Sequence, residues 1–196
     1  MSRITPRTPD ELDPEQRALY DSIAGGKRAQ GPRVFDLTAS DGSLLGPFAP
    51  LLIEPSLGAA VSALGEAIRF QSSLSDRVRE LAILVVASHR SSEFEWYAHE
   101  RLGRHIGLDD AVVDAVRARA RPELSEPAEL AAWSVVAELV GSRHLGDETF
   151  AAAVEHLGER GVFELASLVG YYELLATLME AFDIGAPGDV DPMFRL

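Results

Sequence analysis

The sequence predicts an all-α fold. Apolar residues recur at three- and four-residue spacing through most of the chain, and capping residues stand where each periodic run begins. No run of alternating apolar and polar residues is bounded by hairpin turns, so a sheet is not expected. The first element is "LDPEQRALYDSIAGG", with Asp13 as N-cap, Pro14 at the first helical position and Gln16 closing a capping box. It stops at Gly25 and Gly26. Residues 27–54, rich in Gly, Pro, Asp and Ser, carry no sustained period; a loop this long in a compact domain is either a functional cover or plain connection. Helices then follow at short intervals. They are "SLGAAVSALGEAIRF", "SDRVRELAILVVASH" with Ser75 as its cap, "SEFEWYAHERLGRHIG" ending near Gly107, and "DDAVVDAVRARA". "PAELAAWSVVAELVGSR", "DETFAAAVEHLGER" and "VFELASLVGYYELLATLMEAF" complete the set.

One domain spanning 1–196 is expected: an N-terminal helix and long loop over 1–54, then a helical core over 55–196. A chain of this length buries roughly 70% of its unfolded surface on folding, so it needs no staples. It has none to use, because it contains no cysteine. Disulfides, thiolate nucleophiles, sulfur-ligated metals and peroxide-reducing thiols are all excluded. The net charge of −13, from 18 basic against 31 acidic residues, repels phosphate backbones, and no basic stripe opposes it. The opening "MSRITPRTPDELDPEQ" lacks the apolar stretch of a signal peptide. "LAILVVA" falls far short of the roughly 20 residues that span a bilayer. A soluble, cytoplasmic protein with no nucleic-acid or membrane partner is expected.

"VRELAILV" (78–85) and "VFELASLV" (162–169) agree at six of eight positions. The echo suggests two pseudo-repeated helical halves, although apolar helices also resemble one another by chance.

Chemistry is sought where acids interrupt apolar faces. Glu80 directly precedes "LAILVVA"; a carboxylate there costs several kcal/mol to desolvate unless it is paired or neutralised. It either pairs with Arg77, Arg79 or Arg90 as a structural ion pair, or it belongs to a proton relay in a cleft. Ser92, Glu95 and His99 fall at i, i+3 and i+7 on one helical stripe. A carboxylate beside a histidine fixes its tautomer and suits it to acid–base work near neutral pH. The plainer reading of His99 is a satisfied core or interface histidine, and Trp96 and Tyr97 read as packing. No metal site is expected: Gly103 occupies the place of a zincin's second histidine, His105 points elsewhere, and no second E-x-x-H pair marks a di-metal bundle.

The stretches "LSDRVRELAILVVASHRSSEFEWYAHERLGRHIGL" (74–108), "GPFAPLLIEPSLGAAVSALGEAIRF" (46–70) and "LASLVGYYELLATLMEAF" (165–182) resemble the carboxymuconolactone decarboxylase family. That family shares the all-α bundle of alkyl hydroperoxidase D. In the hydroperoxidase branch a glutamate precedes a C-x-x-C pair and a histidine. Here Glu80 and His99 match the acid and the histidine, while Ser92 and Glu95 stand where the cysteines would be. The resemblance therefore implies acid–base members without the redox sulfurs, and a glutamate at 95 is what the decarboxylase branch resembles.

By this resemblance the chain is a cofactor-free enzyme acting on a small organic acid or lactone, with Glu80, Glu95 and His99 as catalytic residues. Decarboxylation is the expected reaction, with His99 as proton donor and Glu95 as its partner or a second member of the relay. Arg69, Arg90 and Ser92 are the candidate substrate-binding residues, since a guanidinium fork suits a carboxylate. The alternatives are another cofactor-free lyase, isomerase or hydrolase, and a non-catalytic ligand-binding or oligomeric protein of the same fold. A homo-oligomer is expected, with the helix around Tyr171 and Tyr172 contributing to its interface.

Overall fold

The computed structural model describes residues 2–30, 34–187, 190 and 193–194; residues 31–33 of the 27–54 segment lie outside the described set. Seven α-helices make up the described architecture: α1 (Pro14–Ala24), α2 (Pro55–Phe70), α3 (Asp76–Arg90), α4 (Glu93–His105), α5 (Asp110–Arg117), α6 (Pro127–Ser142) and α7 (Asp147–Ala181). Among the described residues the only β-pairing is an isolated antiparallel bridge between Thr38 and Leu44.

Helix α1 begins as its capping residues dictate. The Asp13 carboxylate accepts from the backbone N–H groups of Glu15 and Gln16, and the Gln16 side chain accepts from Asp13 N–H. The amide nitrogen of Gln16 also donates to the Leu52 carbonyl at 3.0 Å, so one residue caps α1 and fastens it to the chain entering α2. Short 3-10 turns at Lys27–Gln30, Gly46–Phe48 and Pro50–Leu52 organise the 27–54 segment. Its Leu44, Phe48, Leu51 and Leu52 pack on Leu19, Tyr20 and Ile23 of α1 as a small second core. The long loop is therefore a folded cover.

The main core is built on α3, which packs against α4, α5, α6 and α7. Its residues from Glu80 to Ser88 are all buried, so an apolar run without amphipathic alternation reads as a central helix. Ser75 caps it through Val78 N–H. At its end Ser91 takes the left-handed conformation (φ 51°), and the N–H of Ser92 returns to the Ala87 carbonyl. Only two residues separate α3 from α4, which holds the start of α4 against the end of α3.

Helix α7 runs from Asp147 to Ala181 but is broken at Gly158 (φ 71°, ψ 166°), close to where the sequence reading divides it into two helices. By length and hydropathy α7 passes the test for a membrane span, yet half of its most apolar 18-residue window is buried inside the bundle. The echoed segments run side by side and parallel: Glu164 binds Ser72 and Ser73 ahead of α3, while Arg90 at the end of α3 reaches Glu180. Their matching glutamates do different work. Glu164 fastens a turn, and Glu80 is buried in the core.

On the helix expected to contribute to an interface, Tyr171 and Tyr172 themselves point inward and are 4% and 3% exposed. The outward stripe of this part of α7 is Phe163, Ala166, Gly170, Leu174 and Thr177, one helical face away.

Candidate active site

Four helices and the cover converge on one point. From α3 comes Glu80, from α4 come Glu95 and His99, from α7 Tyr171 and Tyr172, and from the end of α2 Arg69. The 27–54 segment supplies Arg28, Phe35, Pro47 and Phe48. Between them lies an inner cavity of about 30 Å³ lined by these groups, with Gly65, Phe94, Ala98 and Leu175 but without Glu80. A larger outer cleft of about 430 Å³ adjoins it; Arg28, Phe35 and Arg69 line both, and Glu80 borders the cleft.

The structure brings Glu80 and His99 together across two helices. The Glu80 carboxylate lies 2.6 Å from His99 Nδ1, and both side chains are buried. Of the two roles expected for Glu95, that of the histidine's hydrogen-bond partner is filled by Glu80 and not by Glu95 on its own stripe. With Nδ1 occupied by the carboxylate, Nε2 is the nitrogen left for a ligand. The ring is held from a second side by Tyr172, edge-on with centroids 5.2 Å apart. Burial is the largest influence on the Glu80 carboxyl and would raise its pKa. The neighbouring His99, Arg69 and Arg79 together outweigh it and hold Glu80 below its ordinary value. Arg79 approaches Glu80 at 3.7 Å, so the structural ion pair and the histidine couple coexist.

Glu95 stands apart from every other buried acid. Glu100 accepts from Trp96 Nε1, Arg104 and Arg117, and Glu129 is held by Arg77. Those glutamates are structural, as any buried charge must be when it is paired. Neither Glu95 oxygen has a hydrogen-bond partner. Complete burial pushes its pKa up to about 8; the nearby Ser92 side chain and the more distant Arg90 charge pull the other way without reversing it. At neutral pH Glu95 is an un-ionised carboxylic acid, able to donate a hydrogen bond or a proton into the cavity it lines.

The expected binding residues separate. Arg69 borders both cavities, and among the described residues it has no hydrogen bond or ion pair; its guanidinium lies over the Phe70 ring at 5.6 Å and its Nε is buried without a partner. Arg90 binds Thr177 and Glu180 and lines neither cavity. Ser92 is the N-cap of α4 and also lines neither, its influence reaching the site only through Glu95.

Arg28, Tyr171 and Tyr172 are polar site residues that escape the sequence reading. Arg28 lies in the cover, donating to Ser62 and Glu66 of α2 and stacking on Phe48, with its side chain only 2% exposed. Tyr171 enters through a notch that Gly65 leaves in α2: a Cβ at 65 would stand 2.1 Å from the Tyr171 hydroxyl and 2.7 Å from Arg28. Gly65→Ala is therefore expected to destabilise the fold by about 1–3 kcal/mol through overpacking. Urea unfolding of Gly65→Ala, Tyr171→Phe and the double variant checks this. A strongly non-additive cycle is expected, and additive losses would place the strain elsewhere.

Residues 55–138 match the model of the carboxymuconolactone decarboxylase family, a segment that includes Arg69, Glu80, Glu95 and His99. No curated protein matches the chain. Among solved structures the chain is similar to a peroxidase-related protein from Ralstonia eutropha JMP134, described as an alkylhydroperoxidase AhpD core, at TM-score 0.74 and 15% identity, over 96% of this chain and 93% of that one. It is similar to a peroxidase-related protein from Silicibacter sp. TM1040 at TM-score 0.72 and 14% identity, over 99% and 96%. The debrominase Bmp8, solved as a cysteine-to-alanine variant with 2,3,4-tribromopyrrole, aligns at TM-score 0.71 and 16% identity, over 96% and 95%. The AhpD-like fold expected from the sequence is the fold of this chain, without the cysteines.

Proposed function

We propose that this chain, an AhpD-like bundle with a carboxymuconolactone decarboxylase family segment at its centre, is a cofactor-free acid–base enzyme. Its substrate is a small organic acid or lactone, and its reaction is decarboxylation of a vinylogous β-keto acid, in which the carboxylate sits on a saturated carbon next to a conjugated enone. The observation that carries the reading is the pairing of opposites around one cavity. His99 is clamped by an ionised carboxylate 2.6 Å away, and Glu95, on the same helix, is a neutral acid without a partner. Groups pushed toward different protonation states in one site are the signature of assigned acid and base roles.

The mechanism follows from those states. Arg69 holds the substrate anion at the junction of the two cavities. The C–C bond to the carboxylate breaks, CO₂ leaves, and the electron pair passes into the conjugated carbonyl as a dienolate. Glu95 donates a hydrogen bond to the developing oxyanion, where a fixed donor in a dry site is most effective. His99, protonated at Nε2 and stabilised by Glu80, delivers its proton to the dienolate carbon. Bmp8, of the same fold, was solved with a small flat ring, which agrees in scale with this reading. Thiol chemistry is not open to the chain, because no residue can form a sulfenic acid.

A panel of β-keto acids and unsaturated lactones tests the proposal, read by CO₂ release and ultraviolet absorbance. Turnover by the wild type that His99→Ala loses is the expected result. Ring opening of a lactone without CO₂ would move the assignment to hydrolysis.

The proposal includes a cytoplasmic homo-oligomer. Ile53, Leu57 and Leu64 on and before α2, with Phe163 and Leu174 on α7, leave large apolar side chains exposed, Phe163 by 73%. Light scattering should return a multiple of the 21.2 kDa chain mass; a monomer at micromolar concentration would refute it.

A further inference from the structure

The two cavities differ in capacity by more than tenfold, and that difference bears on what the site binds. The inner cavity, about 30 Å³, is close to the space of one or two waters. The outer cleft, about 430 Å³, falls in the range that encloses a ligand of several rings or fewer. Resting on the acid–base reading above, we propose that the substrate is a ring-bearing monocarboxylate: its flat apolar body occupies the outer cleft, its carboxylate lies on Arg69, and only the carboxylate end reaches the inner cavity.

The cleft has the walls for such a body. Phe35 and Phe70 face it from the cover and the end of α2, and Leu102 and Ile106 from the last turn of α4. Of the three guanidinium groups that border it, Arg28, Arg69 and Arg79, one is unclaimed among the described residues. Arg28 is bound to Glu66, and Arg79 to Asp76, whereas Arg69 has neither hydrogen bond nor ion pair among the described residues. In a chain with 31 acids and 18 bases, a guanidinium left without a carboxylate next to a cavity invites one from outside. The acids bordering the cleft do not all oppose this. Asp76 is neutralised by Arg79 and Glu80 is engaged with His99, and the remaining acid of the lining, Asp36, shares the cleft with Lys27 and Arg69. A single negative charge is accommodated, and bulk beyond the carboxylate must lie outward because the inner cavity has no volume for it.

Binding of acetate, benzoate and 2-naphthoate to the full-length protein, measured by calorimetry, tests the proposal without any turnover. Affinity should rise at least tenfold from acetate to 2-naphthoate. Arg69→Gln should weaken benzoate and 2-naphthoate at least tenfold. Ile106→Trp, which fills the cleft, should weaken 2-naphthoate at least tenfold and leave acetate within twofold. Phe70→Ser, at a position already 39% exposed, provides a second cleft variant and should weaken 2-naphthoate several-fold more than acetate, the smaller shared loss coming from the ring under Arg69. Equal affinities for acetate and 2-naphthoate, no binding of 2-naphthoate at millimolar concentration, or 2-naphthoate binding indifferent to both cleft variants would each overturn the proposal. Tight 2-naphthoate binding in a protein that turns over no acid or lactone would sink the enzymatic reading and leave this one standing. Turnover of a compact lactone with no aryl-acid binding would do the reverse.

Discussion

Replacing His99 with alanine is expected to lower turnover by about 10²–10⁴-fold, the usual contribution of a positioned proton donor. The fold should survive, since the ring is one of many buried groups and Tyr172 is also held by Tyr171 at 5.3 Å. Two companion variants separate chemistry from packing. Glu80→Gln retains shape and a hydrogen-bonding group at 2.6 Å from Nδ1 but removes the charge that stabilises the imidazolium. Its activity should fall less than that of His99→Ala, and its pH–rate profile should move, which a merely structural role would not produce. His99→Gln keeps volume and a polar end yet carries no titratable proton; it should be as inactive as the alanine variant. Full activity of His99→Ala on an authentic substrate would return His99 to the status of a packed core histidine.

The helices were legible because their signals are local. The Asp13 and Ser75 caps, the apolar period and the break near Gly158 each act within a few residues of where they are read. The convergence of Glu80, Glu95 and His99 was legible for a related reason: a glutamate directly before "LAILVVA" and another on the stripe of His99 violate apolar patterning, and such violations are expected at functional sites. The partnership within the site was not legible. Helical spacing places Glu95 one turn from His99, but the hydrogen bond goes to Glu80, nineteen residues away, because the two-residue α3–α4 connection sets the helices face to face. Arg28 was invisible for the same cause, being placed by Ser62, Glu66 and Phe48 in a segment without period. Arg90 shows the converse: its residue type suited a carboxylate, and only packing reveals that Glu180 already supplies one.

Glu95→Gln is expected to make the protein more stable toward alkaline pH while impairing its function. The Glu95 carboxyl has a pKa of about 8 when folded, against about 4.5 for a glutamate in the unfolded chain. Between those values the folded state holds a proton that the unfolded state has released, so stability falls as pH rises through that window. The loss from pH 4.5 to pH 7 amounts to about 3 kcal/mol for a shift of this size, and it continues to grow until pH approaches 8. Glu80 works in the opposite direction. Its lowered pKa contributes stability that is present above its unfolded value and disappears in acid. Urea unfolding as a function of pH should therefore give a wild-type curve that declines from mildly acidic to alkaline conditions. The Glu95→Gln curve should be flatter across the same range. The comparison of slopes is insensitive to any constant cost of placing an amide where no partner waits. Equal slopes for the two proteins would mean that Glu95 is ionised in the folded state and paired with something, which removes the neutral acid from the mechanism. A flattened slope with unchanged catalysis would leave Glu95 as a buried acid of no function. The expected combination, greater stability at neutral pH with lost turnover, is that of a residue kept at an energetic cost for the chemistry it performs.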